Sequence, residues 1–127
     1  MAEVKRIARP LSPHLMIYRM PVMAVASILT RITGNALIVG TLIVVWWLLG
    51  AATSDAMFAR ADFVATSWFG DLVFTGSAWA LWYHYLAGLR HLYFDAGHGF
   101  DVKTATLTAW GCIAGSVLLT LLTILII

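Results

Sequence analysis

The sequence predicts an all-α integral membrane protein with three transmembrane helices, the N-terminus inside and the C-terminus outside. Of its 127 residues, 61% are hydrophobic and 11% are charged, whereas about 25% are charged in an ordinary soluble domain. The few charges leave three long uncharged stretches. This composition excludes a soluble globular domain, and a net charge of +2 is too small for a nucleic-acid-binding surface. We therefore expect the lipid bilayer, and no nucleic acid, as a partner.

Three spans are predicted at about residues 22–50, 65–90 and 104–127, because an apolar run of about 20 residues crosses the hydrocarbon core. The first includes 23 uncharged residues at positions 32–54. The second includes the shortest uncharged run, 18 residues from Leu72 to Leu89, and the third contains 24 uncharged residues. The segment between the first two spans is expected to be a loop. Residues 1–127 are predicted to form one domain, with Gly111 and Gly115 as a GxxxG pair for helix packing.

The distribution of lysine and arginine predicts the orientation in the membrane, because short inner loops carry more of them. The N-terminal side of the first span carries five basic residues, which are Lys5, Arg6, Arg9, Arg19 and Arg31. The segment between the first two spans carries only Arg60, and the loop after the second span carries two basic residues. The N-terminus and this last loop are therefore expected inside.

His84 is the one histidine within the uncharged run Leu72–Leu89 of the second span. It precedes Arg90 by six positions, about 9 Å of helix rise, so its imidazole needs a partner inside the bilayer. Two interpretations are open: a neutral histidine hydrogen-bonded to a neighbouring helix, or an axial ligand of haem iron, which a neutral imidazole nitrogen binds. Gly88 lies one turn further on the same face. The gap beside it admits a porphyrin or a neighbouring helix.

A haem held by this chain is expected to be of b type and shared with another chain. His91 lies on the same face as His84 but about 10.5 Å further along the helix, so the two cannot bind opposite sides of one iron. His14 and His98 lie outside the predicted spans. The chain contains no CxxCH motif, which excludes covalent c-type attachment. The second axial ligand must therefore come from a partner chain.

Ser27 and Arg31 form a second candidate site at the start of the first span. Their four-residue spacing puts them on one helix face, and Gly34 continues that face. In one interpretation Arg31 only extends towards the lipid head groups. In the other, a hydroxyl and a fixed positive charge face a quinone, whose carbonyls accept hydrogen bonds and whose reduced intermediates are anionic.

Three ordered motifs between Arg9 and about Gly97 give the sequence a family resemblance. They read RPLSPHLMIYRM, SILTRITG and YHYLAGLRHLYFDAG. These motifs resemble the cytochrome b556 membrane-anchor (C) subunits of succinate dehydrogenase, or succinate:quinone oxidoreductase, respiratory complex II. The resemblance implies that Ser27 and Arg31 line a ubiquinone site. It also implies that His84 is an axial ligand of haem b and that the other axial histidine belongs to the D subunit.

Thr30 departs from the family pattern. The family usually has a histidine just before the arginine, where it contacts a haem propionate. Threonine donates one hydrogen bond but carries no positive charge, so neutralisation of the propionate is expected to be weaker or to fall to Arg31, His91 or the partner chain. His91 and Asp95 match the RHxxxD part of the third motif, and we expect them in the haem surroundings or at the helix end.

The resemblance implies an anchor that holds the flavoprotein and iron–sulfur subunits at the inner membrane face and helps form the site of ubiquinone reduction. No independent activity is expected, because the chain has neither the length nor a motif for a flavin site. Two alternatives stay open: an anchor of a fumarate reductase that uses menaquinol, and a non-catalytic membrane scaffold or assembly protein. The family motifs begin by Arg9 and leave no room for a transit peptide, so a bacterial inner membrane is expected rather than a mitochondrial one.

Overall fold

The computed structural model describes residues 19–127, which form four α-helices. They are α1 (Val22–Thr53), α2 (Asp55–Ala65), α3 (Trp68–Asp95) and α4 (Val102–Ile126). No strand occurs among these described residues, so the prediction of an all-α fold is confirmed for them. Four residues used in the orientation and haem arguments lie outside the described residues, namely Lys5, Arg6, Arg9 and His14.

α1 is the longest helix, with 32 residues. It begins directly after Pro21, whose missing N–H would have had no partner inside the helix. The buried residues of α1 are small or short and polar; they are Ala26, Thr33, Gly40 and Gly50. α1 therefore approaches its neighbours closely along one stripe and exposes its larger apolar side chains on the other faces.

α2 corrects the prediction of a loop between the first two spans. It has 11 residues and carries Asp55 in its first turn, where a negative charge is favourable. The Trp47 indole N–H of α1 donates to the Asp62 carboxylate at 3.0 Å, and the Trp47 and Phe58 ring centroids are 5.3 Å apart. A helix this short is marginal on its own. Contacts with α1 therefore stabilise it, and a local sequence pattern does not reveal them.

α3 begins at Trp68 and continues to Asp95, beyond the end that the sequence predicted at residue 90. Ser67 defines the start, because its side-chain oxygen accepts the backbone N–H of Gly70 at 3.3 Å, as N-cap residues do. The predicted span stops at about residue 90 because Arg90 bounds the uncharged run. In the structure Arg90 lies inside the helix and donates hydrogen bonds to α4.

The turn from α3 to α4 depends on two glycines and an aspartate. Gly97 and Gly99 have φ values of +82° and +75°, a backbone region that residues with a side chain rarely adopt. The Asp101 carboxylate then accepts the backbone N–H of Thr104 at 2.8 Å and caps α4. This hydrogen bond lowers the pKa of Asp101 below its ordinary value, because it favours the ionised carboxylate.

α3 is the central helix and packs against both α1 and α4. The centre of the core is Tyr83 with Ala87 and Cys112. Of the predicted GxxxG pair, Gly115 lies against α3, where an added Cβ would be 3.1 Å from Leu86 Cδ1. An added Cβ at Gly111 would meet no described atom of another helix within 4 Å. One glycine of the pair therefore serves a helix contact within this chain.

The outside of the bundle is strongly apolar. Many large hydrophobic side chains are exposed along α1, α3 and α4; examples are Leu42, Leu48, Leu81, Leu107, Trp110 and Leu118. By length and hydropathy, α1 and α4 are apolar enough to cross a membrane. α3 does not meet the same criterion, because aromatic residues, glycines and polar residues lower its hydropathy.

Candidate functional site

Two polar links join α1 to α3 around His84. The Tyr83 hydroxyl donates to the Ala26 carbonyl oxygen at 2.9 Å, and both residues are buried. One residue further along α3, Nδ1 of His84 lies 3.1 Å from the carbonyl oxygen of Thr30. These links fix the rotation of α3 against α1 and hold the imidazole at the interface between the two helices.

The contact with Thr30 determines which ring nitrogen of His84 carries the hydrogen. A carbonyl oxygen only accepts, so the contact is a hydrogen bond when Nδ1 donates. The Thr33 hydroxyl oxygen lies 3.4 Å from the same nitrogen. That hydroxyl donates to its own helix, where the carbonyl oxygens of Leu29 and Thr30 are 2.8 Å and 3.1 Å away, so it too presents an acceptor to the ring. In the neutral ring Nε2 therefore keeps a free lone pair, the form that binds a metal.

Gly34 gives the His84 ring its room. A Cβ at Gly34 would lie 3.1 Å from Cε1 and 3.5 Å from Nδ1 of the ring. At Gly88, one turn beyond His84, an added Cβ would meet no described atom within 4 Å. The neighbouring helix therefore approaches His84 at Gly34, and the space beside Gly88 is open within the described part of the chain.

Thr30 contacts His84 through its backbone. Its hydroxyl donates to the Ala26 carbonyl oxygen of the same helix at 2.9 Å, a common arrangement for threonine inside helices. The Thr30 carbonyl oxygen is the atom that lies at Nδ1 of His84. Thr30, which departs from the family pattern, thus contacts His84 through its backbone carbonyl oxygen, an atom that any residue type would provide.

Ser27 and Arg31 lie one turn apart on α1, and both are exposed. The backbone carbonyl of Arg31 accepts the side-chain amide of Asn35 at 3.0 Å. Arg31 directly follows Thr30 along α1. The two residues predicted to bind quinone therefore lie on the same turns of α1 that contact His84, with their side chains accessible to a ligand.

Among the described residues, His91, His98 and Asp95 do not join this cluster. His91 and Asp95 are exposed on the last turns of α3. The His98 ring stacks on Tyr93, with centroids 5.5 Å apart and an interplanar angle of 27°. In residues 19–127, therefore, His84 is the histidine that the bundle holds at a helix interface.

The contacts of Arg90 with α4 were not predicted from the sequence. Its guanidinium donates to Thr108 Oγ1 at 3.1 Å and to the Ala105 carbonyl oxygen at 3.2 Å. It also lies 4.4 Å from the centroid of the Phe94 ring, a cation–π contact. Arg90 therefore ties the end of α3 to α4. No spacing in the sequence indicates this, because the partners depend on how the two helices are aligned.

Comparison with known proteins identifies the family. The model of the succinate dehydrogenase/fumarate reductase transmembrane subunit matches residues 5–123. The chain belongs to this family. The succinate dehydrogenase cytochrome b556 subunit of Paracoccus denitrificans is 54% identical over 126 residues, covering 99% of this chain and 97% of the relative. That of Rickettsia conorii is 38% identical over 114 residues, covering 90% and 89%.

A more distant relative has a similar name. The succinate dehydrogenase cytochrome b560 subunit of Reclinomonas americana is 34% identical over 121 residues, covering 91% of this chain and 84% of the relative. The family predicted from the three motifs is thus confirmed. A membrane location and a part in an oxidoreductase complex follow from membership.

Proposed function

We propose that this chain is the membrane-anchor and haem b subunit of a succinate:ubiquinone oxidoreductase. It holds an iron–sulfur subunit and a flavoprotein subunit at the inner face of a bacterial inner membrane and helps form the site of ubiquinone reduction. Relatives named as cytochrome b556 subunits of succinate dehydrogenase match it over nearly the whole of both chains, which supports this assignment. Succinate is oxidised in a partner subunit, so the chain has no activity of its own.

We infer that α1, α3 and α4 are three membrane spans of a single domain, residues 1–127. α3 has 28 residues, about 42 Å of helix, which exceeds the hydrocarbon thickness of about 30 Å. It packs between the two more apolar helices, which supports a similar depth. Arg19 and Arg31 near the start of α1, against Arg60 alone in α2, support an inner N-terminus.

The proposed axial ligand of haem b in this chain is Nε2 of His84. The observation that carries this proposal is the 3.1 Å contact from Nδ1 of His84 to the Thr30 carbonyl. It orients the ring, leaves the lone pair of Nε2 free and makes that nitrogen a stronger electron donor to a metal. The open space beside Gly88 fits a large planar group next to the histidine. When bound, the haem supplies one-electron redox chemistry.

The haem is shared with the second membrane subunit, the D subunit, which provides the opposite axial histidine. His91 lies two turns beyond His84 on the same helix and is exposed, so it cannot reach the opposite side of the same iron. With a threonine at position 30, Arg31 and His91 are the residues of this chain proposed to face the haem propionates, alone or together with the partner chain. Both belong to the haem surroundings in this proposal, and Thr30 contributes its carbonyl through His84.

Ser27 and Arg31 bind the ubiquinone head group. The serine hydroxyl donates a hydrogen bond to one quinone carbonyl oxygen and fixes its orientation. The guanidinium stabilises the negative charge that develops on the quinone oxygens as electrons arrive. The exposure of both side chains on adjacent turns of α1 supports this role, because a ligand arriving from the lipid can reach them.

The family description also covers fumarate reductase, so a menaquinol-dependent enzyme is the second candidate. The relatives described above are named as succinate dehydrogenase subunits, which favours succinate oxidation. Assaying the purified complex with ubiquinone and with menaquinol separates the two. A higher rate of fumarate reduction by menaquinol than of ubiquinone reduction by succinate would reverse the assignment.

The haem proposal is tested by purifying the complex in mild detergent, identifying the companion chains and recording a dithionite-reduced spectrum. We expect three companion chains and a low-spin b-type haem. His84→Ala should convert or abolish the low-spin spectrum, whereas the matched variant His91→Ala should retain it. A low-spin spectrum that survives in His84→Ala would remove the ligand assignment.

The quinone proposal is tested with Arg31→Leu and the matched control Arg60→Leu, which removes an exposed arginine of α2. Arg31→Leu should lower the rate of ubiquinone reduction by a factor of about 10² to 10³, the usual loss when one charge-stabilising group is removed. Electron transfer from succinate to a soluble dye should be unchanged in both variants. Arg31→Lys should recover part of the rate, because an ammonium lacks the planar fork, and Ser27→Ala should lose less.

Full ubiquinone reductase activity in Arg31→Leu would contradict the quinone site. A parallel fall in dye and quinone activities would also contradict it, because assembly would then depend on the arginine.

A further inference from the structure

The surface of α1 that faces His84 consists of small and polar groups. Its members are a fully buried threonine, Thr33, a glycine, Gly34, and the carbonyl oxygen of Thr30. All three lie within a single turn, and all three contact or make room for the same imidazole ring.

We propose that Gly34 and Thr33 are positioning residues that set the orientation and the electron-donating strength of His84 towards the haem iron. This inference rests on the proposed function, because it concerns the haem that His84 would bind. It assigns a role to two residues of α1 that themselves do not contact the metal.

The role of Gly34 follows from distance. An added Cβ would lie 3.1 Å from Cε1 of His84, inside the usual carbon–carbon contact distance of about 3.5–4.0 Å. Relief requires the ring to move away from α1 by a few tenths of an ångström. The contact between Nδ1 and the Thr30 carbonyl oxygen is 3.1 Å, at the long end of the range for such bonds. A longer distance therefore weakens the hydrogen bond between Nδ1 of His84 and the Thr30 carbonyl oxygen.

The role of Thr33 follows from its hydroxyl geometry. Its hydrogen is directed to its own helix, so the oxygen offers a lone pair 3.4 Å from Nδ1 of His84. The side chain is fully buried, and water does not replace this acceptor. The ring therefore has two acceptors on one side, which restricts its rotation about its own axis.

A weaker hydrogen bond at Nδ1 has a definite consequence for the iron. A donor imidazole whose N–H is strongly hydrogen-bonded is a more basic ligand, and a more basic ligand favours the ferric state. Weakening the bond therefore raises the midpoint potential of the haem. A change in the ring orientation alters the electron paramagnetic resonance (EPR) signal of the ferric haem.

The test compares Gly34→Ala with Gly76→Ala in the assembled complex. The two variants add the same methyl group, but an added Cβ at Gly76 meets no described atom within 4 Å. We expect Gly34→Ala to keep a low-spin haem, raise its midpoint potential and shift the EPR signal. Gly76→Ala should match the parent complex in both measurements. A potential and an EPR signal unchanged in Gly34→Ala would overturn the proposal.

A second pair of variants keeps the test decisive if Gly34→Ala does not assemble. Thr33→Ser retains the hydroxyl, whereas Thr33→Val replaces it with a methyl group of similar size. The EPR signal should shift in Thr33→Val and return to the parent value in Thr33→Ser; identical signals in both would overturn the role of Thr33. A parent complex without haem, or His84→Ala with an unchanged spectrum, would instead refute the proposed function itself.

Discussion

Replacing Tyr83 with phenylalanine isolates the hydrogen bond that fixes α3 against α1. The hydroxyl donates to the Ala26 carbonyl oxygen at 2.9 Å inside the core. Phenylalanine leaves no unsatisfied donor, and the Ala26 carbonyl still accepts the Thr30 hydroxyl at 2.9 Å. The loss should therefore be that of one buried hydrogen bond, about 1 kcal/mol, consistent with about 0.6 kcal/mol for a typical interhelical bond in a membrane.

The control is Tyr83→Ala, which also removes the ring and leaves a cavity beside Ala87 and Cys112. Its loss should be about 3–5 kcal/mol. Both values are obtained by titrating the purified complex with SDS in mixed micelles and following the release of this chain. The prediction fails if Tyr83→Phe loses more than about 3 kcal/mol of stability, or if the two variants lose the same amount. In either case the Tyr83 hydroxyl would contribute more than one hydrogen bond.

Three further predictions concern the remaining links. Arg90→Leu should lower the thermal midpoint of the complex, because α3 loses two hydrogen bonds to α4, and Arg90→Lys should recover only part of it; equal midpoints in all three proteins would contradict the link. Asp62→Ala should change the fluorescence of Trp47, whose indole N–H loses its acceptor; an unchanged emission spectrum would contradict that bond. The pKa of Asp101 is lowered from its ordinary value of 3.8, so its cap on Thr104 stabilises the fold at pH values above 3.8. This stability is lost as the pH falls through the lowered pKa. The thermal midpoints of Asp101→Ala and the parent should therefore differ at neutral pH and converge in acid.

The long helices could be predicted because their information is local. An uncharged run is visible in the sequence, and its length indicates a membrane span. α2 was missed because its stability comes from Trp47 and other α1 residues that lie several turns earlier. The continuation of α3 to Asp95 was not predicted, because Arg90 bounds the uncharged run in the sequence. Its hydrogen-bond partners lie on another helix.

The candidate site was predictable as a set of residues but not as an arrangement. His84 is noticeable because an imidazole inside an apolar run needs a partner. Its contact with Thr30 joins positions 54 residues apart, and it exists only at one rotation and one register of α3 against α1. The role of Gly34 could not be predicted either. Its spacing places it on the same helix face as Ser27, but only the packing of α3 against α1 shows that its lack of a side chain makes room for the His84 ring.

The central claim is that Nε2 of His84 binds the haem iron, and rescue by free imidazole tests it most directly. His84→Gly removes the ligand and leaves space at its position, so the low-spin spectrum of the purified complex should be lost. Added imidazole should enter this space and restore the spectrum, whereas His91→Gly should have a low-spin spectrum with or without imidazole. A low-spin spectrum that persists in His84→Gly without imidazole, or that disappears in His91→Gly, would contradict the account.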